Sequence, residues 1–123
     1  MLTEIENYFV TCQQLRDEDG FDLLISLTAV DRKDFLEVVV HLARSTDMSR
    51  EIVKTVVSGE GPMVVPSITQ IWPGADWHER ECYDLFGIKF QGHPNLKRIL
   101  LKEDFDGYPL RKDFQPVEIT SQR

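Results

Sequence analysis

Phe21-Asp22-Leu23-Leu24-Ile25-Ser26-Leu27-Thr28-Ala29, followed after a charged break by Leu36-Glu37-Val38-Val39-Val40-His41-Leu42, decides the fold class. In the first run Phe21, Leu23, Ile25, Leu27 and Ala29 alternate with more polar neighbours. In the second, Leu36, Val38, Val40 and Leu42 alternate against Glu37 and His41. A period of two marks a half-buried strand, because successive side chains leave the pleat on opposite faces. Asp31-Arg32-Lys33-Asp34 between the runs has the composition of a turn. A polar stretch from Ser45 to Ser49 precedes a third, β-branched run from Glu51 to Val57. Three neighbouring strands joined by short polar connections predict an antiparallel meander.

On the N-terminal side the period changes to that of a helix. Leu2, Ile5, Phe9 and Cys12 recur at helical spacing, and Thr3 with Glu6 has capping-box form. Asp17-Glu18-Asp19-Gly20 ends this helix, with acids opposing its dipole. On the C-terminal side, Gly59 to Pro62 is a loop. Pro66-Ser67 opens a short helical piece, with Ser67 and Gln70 again at capping-box spacing, and Pro73-Gly74 interrupts it. A second helix spans about Ala75 to Phe86, with Gly87 where a left-handed cap is wanted. The expected fold class is therefore α+β: an antiparallel sheet of about three strands, an N-terminal helix packed on one face and a second helix.

Beyond Gly87 no clean period survives. Phe90, Pro94, Leu96, Ile99, Leu100, Leu101, Phe105, Tyr108, Pro109, Leu110 and Phe114 form an apolar but aperiodic segment. Such a segment needs a surface to lie on, and a partner protein is the natural one. The expected organisation is one domain: a compact unit over residues 1–90 and an extended, partner-binding tail over 91–123.

Composition narrows the function. The formal charge of −7 repels phosphate backbones, so nucleic acid is excluded as the expected partner. The two cysteines, Cys12 and Cys82, cannot make a disulfide framework or a four-thiolate cage and are expected to stay reduced, as in a cytoplasmic compartment. The first ten residues lack a signal peptide's basic flank and apolar stretch. No apolar run approaches the roughly 18 residues of a membrane helix, so membrane attachment is expected only through other chains.

The densest polar cluster is Trp77-His78-Glu79-Arg80-Glu81-Cys82-Tyr83-Asp84. In a helix, Asp76, Arg80 and Asp84 align as a carboxylate–guanidinium–carboxylate ladder, which stabilises a helix or an interface. Glu79 and Glu81 as an acid/base pair do not converge, since side chains diverge by about 100° per residue. His78 and Cys82 offer a two-ligand metal face, but a site needs three or four ligands and His93 alone is a weak third. His93 reads more simply as a turn residue bonded to backbone, and His41 as a cross-strand partner. Gly59-Glu60-Gly61-Pro62 lacks the lysine and helix start of a phosphate loop, and no nucleophile elbow is present. Iron–sulfur ligation needs about four thiolates, twice what the chain offers. No catalytic, cofactor-binding or metal-ligating residue is expected of this chain.

Three blocks carry a resemblance. Glu79-Arg80-Glu81-Cys82-Tyr83-Asp84-Leu85-Phe86-Gly87-Ile88, then His93-Pro94-Asn95-Leu96-Lys97-Arg98-Ile99-Leu100, then Gly107-Tyr108-Pro109-Leu110-Arg111-Lys112-Asp113-Phe114 resemble, in order and spacing, the complex I 30-kilodalton (C subunit) family. Phe35 to Leu42 and Pro66 to Trp72 are similar more loosely. The resemblance implies a cofactor-free subunit of the peripheral arm, bracing the large subunit that holds a quinone or nickel–iron pocket, beside iron–sulfur and ferredoxin-like subunits. It implies that Glu79, Arg80, Glu81 and Asp84 are packing and interface residues and that His93, Pro94 and Arg98 hold the connection after the helix. Tyr108, Pro109, Leu110, Arg111, Lys112, Asp113 and Phe114 become a tail across the large subunit.

Many respiratory members carry a longer N-terminal region. The compact form looks more like that of Ech-type energy-converting [NiFe] hydrogenases, which couple ferredoxin oxidation and proton reduction to ion translocation. On this resemblance the [NiFe] centre and iron–sulfur clusters belong to partner subunits at the cytoplasmic face of the membrane. Quinone- or methanophenazine-reducing complexes are the alternative. A small enzyme using Glu79, Asp84 and His93, and a soluble adaptor using the same apolar tail, are the readings from other classes.

Overall fold

Three nine-residue strands form the centre of the protein. The computed structural model describes residues 1–58 and 63–94. Strand β1 is Leu2–Thr3, helix α1 Ile5–Asp17, β2 Leu23–Asp31, β3 Phe35–Ala43, β4 Arg50–Ser58, β5 Val64–Pro66, helix α2 Ala75–Phe86 and β6 Lys89–Gln91. The sheet runs in the order β1-β4-β3-β2, and β5 and β6 form a separate parallel pair. The fold is α+β, as expected.

The meander is antiparallel, with Leu27 opposite Val40 and Val40 opposite Val53. Its tight turn holds Lys33 at φ 79, and the Lys33 N–H donates to Asp31 Oδ1 at 2.8 Å. The sheet as a whole is mixed, which corrects the expected purely antiparallel arrangement. β1 joins β4 in parallel, with Leu2 opposite Lys54. Two residues are too short to show a period, so in the sequence pattern this strand merges with the following helix.

One face of β2 also differs from expectation. A bulge between Leu24 and Ser26 shifts the register. One extra residue reverses the alternation, so Leu23 and Ile25, expected to face inward, are 38% and 43% exposed. Leu27 and Ala29 keep their inward positions, and Leu36, Val38, Val40 and Leu42 are all buried.

Both helices contribute to the same apolar cluster as this inner sheet face. Helix α1 starts at Ile5 after Glu4, with no side-chain cap, so the Thr3–Glu6 capping box does not form. Its buried residues are Tyr8, Cys12 and Leu15, with Ile5 and Phe9 at the margin, while Leu2 lies outside the helix and exposed. Gly20, at φ 77, reverses the chain after the helix.

Helix α2 ends as the sequence predicts. Gly87 takes the left-handed conformation at φ 80, and its N–H closes onto the Tyr83 carbonyl at 3.0 Å. The segment after Pro66 is a turn, not a helical piece: Trp72 N–H reaches the Ile68 carbonyl at 3.0 Å and the chain then enters α2. No described helix is long and apolar enough to cross a membrane.

Candidate functional site: the signature helix and the turn it fastens

Helix α2 carries the first signature block, and its burial pattern sorts those residues. Glu79 and Asp84 are fully buried, Cys82 nearly so, while Arg80 and Glu81 are half-buried and Trp77 is 52% exposed. Glu79 and Glu81 therefore face different surroundings, as the helical spacing requires.

The Glu79 carboxylate is fastened at both oxygens. Ser67 Oγ donates to Oε1 at 2.7 Å, and the Ile68 N–H donates to Oε2 at 2.8 Å. Ser67 Oγ in turn accepts from the Thr69 N–H at 3.2 Å, and its own N–H donates to the Gln91 carbonyl of β6 at 2.8 Å. One acid thus ties α2 to the exit of β5 and, through Ser67, to β6. A neutral hydrogen-bonded pair contributes about 1 kcal/mol net, and losing one partner of a buried pair costs about 1–3 kcal/mol. Ser67, which spacing alone suggests as a helix cap, is instead the partner of Glu79.

Burial dominates the electrostatics here. It pushes the Glu79 carboxyl up to about 7, against the pull of the Ile68 N–H and the Ser67 hydroxyl, with Asp76 adding to the rise. The Tyr8 hydroxyl, from α1, is raised well above its ordinary value by burial and by neighbouring Cys12, Glu79 and Cys82. Burial likewise pushes the Cys12 and Cys82 thiols up to about 12. Cys82 Sγ lies 4.0 Å from the Leu27 carbonyl. Sequence spacing does not single out Tyr8, because the apolar stripe reads through Phe9; the full burial of Tyr8 shows the helix rotated by one position.

A second fastening holds the turn to the segment that leads into β2. Trp72 is buried, and its Nε1–H donates to the Phe21 carbonyl at 3.0 Å. At the helix start, His93 Nε2 lies 2.9 Å from Asp76 Oδ1 and 3.2 Å from the Asp76 carbonyl. Both are acceptors, so Nε2 carries a proton in this arrangement. His93 is bonded to backbone after a turn, as the sequence suggests.

The Asp76–Arg80–Asp84 ladder does not form among the described residues. Asp76 meets His93, Asp84 lies fully buried, and Arg80 makes an ion pair with neither. Its guanidinium lies over the Trp77 ring, 5.9 Å from the centroid.

Chemically this arrangement is a clasp. Glu79 is fully enclosed with both oxygens engaged, and its hydroxyl partner Ser67 has no imidazole bonded to it among the described residues. His78 and Cys82 gain no third ligand: no group of three His, Cys, Asp or Glu side chains suited to a metal occurs among the described residues. Pro94 is exposed. Arg98 and Tyr108 through Phe114 lie outside the described residues, as does most of the expected tail.

Comparison with known proteins agrees with the signature blocks. Residues 2–119 match the family described as respiratory-chain NADH dehydrogenase, 30 kDa subunit. The C subunit of NADH-quinone oxidoreductase from Moorella thermoacetica is 47% identical over 104 residues, covering 83% of this chain and 70% of that protein. The C subunit from Sinorhizobium medicae is 45% identical over 119 residues, and that from Roseiflexus sp. (strain RS-1) 50% over 104. These two matches cover 93% and 80% of this chain, but only 58% and 59% of the relatives' length.

In three dimensions the protein resembles a chain in the structure of the membrane-bound sulfane sulfur reductase, an archaeal respiratory membrane complex. The TM-score is 0.85 at 25% identity, covering 98% of this chain and 74% of that one. From the signature on α2, the matched span and these relatives, the chain belongs to the respiratory-chain NADH dehydrogenase 30 kDa subunit family.

Proposed function

We propose that this chain is a non-catalytic structural subunit in the peripheral arm of a complex I-like membrane oxidoreductase, where it braces the large subunit and its iron–sulfur neighbours. The observation that carries it is the use made of Glu79. The fully enclosed acid at the head of the signature block is engaged by Ser67 and Ile68, inside the fold. Arg80 and Trp77, by contrast, lie toward the surface of the same helix. On this view the quinone or [NiFe] pocket and the iron–sulfur clusters belong to the partners, a large subunit, a small iron–sulfur subunit and a ferredoxin-like subunit. Those partners hold the chain at the cytoplasmic face of the membrane.

Two versions of the host complex have separate support. Identities of 45–50% to C subunits of NADH-quinone oxidoreductases favour an NADH- or ferredoxin-linked quinone oxidoreductase. An Ech-type, ion-translocating [NiFe] hydrogenase is the second version, on the resemblance of the compact form. The overlap with a chain of the sulfane sulfur reductase supports only that this fold also serves in a different kind of membrane complex. The sequence identity is the stronger of the two, since a fold is retained long after partners have changed.

Affinity purification of the chain from native membranes in gentle detergent tests the proposal, with identification of co-purifying subunits and assays for quinone reduction and for hydrogen production from reduced ferredoxin. A large subunit with quinone reductase activity supports the first version, and one with hydrogen production the second. Purification of the chain free of any membrane complex refutes both and returns it to a soluble adaptor.

A further inference from the structure

Helix α2 holds a cation that lacks an acceptor among the described residues. Arg80 Nε is shut off from solvent and has no hydrogen-bond partner there. Neither acid at ladder spacing pairs with it: Asp76 Oδ1 lies 2.9 Å from His93 Nε2, and Asp84 is fully buried. Nε itself is enclosed and out of a partner's reach. The terminal Nη nitrogens of this half-buried side chain are not enclosed and make no hydrogen bond or ion pair among the described residues, so they are the donors open to an acceptor from outside the helix.

Beside it stands Trp77, 52% exposed, while Tyr8, Phe21, Trp72, Phe86 and Phe90 are all buried. The Arg80 guanidinium lies over this ring, 5.9 Å from its centroid. Trp and Arg are the residue types that concentrate binding energy at protein interfaces, where the ring excludes water from the ion pair.

We propose that the Trp77–Arg80 pair is a docking anchor that receives an Asp or Glu side chain from a neighbouring subunit. The proposal rests on the structural-subunit role above and names the chemistry of its partner. Charge complementarity selects a carboxylate, and the planar fork of arginine matches it with two parallel bonds. A phospholipid surface fits less well. One arginine flanked by Asp76 and Glu81 is no polybasic patch, and the acidic chain is repelled by anionic headgroups.

The test uses the intact complex. A photo-crosslinking amino acid placed at Trp77, in cells, is expected to capture a partner-subunit peptide with an Asp or Glu within a few residues of the crosslink. Arg80→Glu is expected to lower co-purification of that partner by roughly tenfold or more, as loss of an interface anchor does. Exchanging the captured acid for arginine is then expected to restore it, whereas Arg80→Lys restores only part.

Crosslinks to lipid alone, or to no partner chain, overturn the inference, as does charge reversal without rescue. Because Trp77 is exposed, the crosslinking arm decides even where Arg80→Glu impairs folding. If wild-type chain co-purifies with its subunits and these crosslinks fail, the docking anchor alone is refuted. If no subunits co-purify at all, the structural-subunit role falls with it.

Discussion

Replacing Glu79 by glutamine is expected to remove most of the pH dependence of folding between pH 5 and 8. The carboxyl ordinarily titrates at 4.5 and is raised to about 7 in the folded chain, chiefly by burial. A raised carboxyl pKa means that the folded state holds its proton more tightly than the unfolded chain. The contribution is therefore fully present below pH 4.5 and is lost as pH rises through 7. Between these limits stability falls by about 1.4 kcal/mol per pH unit, a total of about 3.5 kcal/mol.

The E79Q amide mimics the protonated acid. Its oxygen accepts from Ile68 N–H and its NH2 donates to Ser67 Oγ, which can still donate to Thr69 Oγ1 at 2.9 Å. Urea unfolding followed by tryptophan fluorescence at pH 5, 6, 7 and 8 measures the difference between wild type and variant, so groups common to both cancel. Near-equal stability at pH 5 and an advantage of about 2–3 kcal/mol for E79Q at pH 8 is expected. A wild-type minus E79Q difference that stays flat across this range refutes the account of Glu79. Asp22 and Asp47 lie outside the window. Hydrogen bonds from Ser45 and Ser49 hold their carboxyls below the ordinary 3.8, so their contribution is lost only as pH falls below that value.

Three further outcomes follow from the same contacts. Trp72→Phe strips the donor from the Phe21 carbonyl and is expected to cost about 1–3 kcal/mol in urea unfolding, while preserving most of the buried ring. Gly87→Ala forces a Cβ into the left-handed region at φ 80 and is expected to cost about 1–2 kcal/mol, visible as a lowered Tm. Cys12 and Cys82, both buried with thiols pushed up to about 12, are expected to resist an aromatic disulfide reagent at about pH 8 in the folded chain and to react promptly in about 6 M guanidinium, a concentration that unfolds most domains.

Local patterns were legible where the chemistry is local. The alternation of Leu36, Val38, Val40 and Leu42 marks β3 because the pleat imposes it on any half-buried strand. Gly87 announces the end of α2 because an α-helix closes most easily through a left-handed residue without a Cβ. The three signature blocks identify the family because their order and spacing survive in one linear string.

Tertiary structure decided what depends on contacts between distant residues. The β2 bulge reverses the faces of Leu23 and Ile25, and nothing in an alternating apolar run reports an extra residue in the pairing. The parallel addition of β1 to β4 joins Leu2 to Lys54, a separation beyond any periodic signal. Taken alone, Ser67 reads as a helix cap and Glu79 as one acid of a charged cluster. Only their meeting in an enclosed space, twelve residues apart, makes one the fastening of the other. The ladder expected at Asp76, Arg80 and Asp84 failed for the same reason. Spacing places side chains on one helical face, but burial of Asp84 and the arrival of His93 at Asp76 left neither carboxylate paired with Arg80.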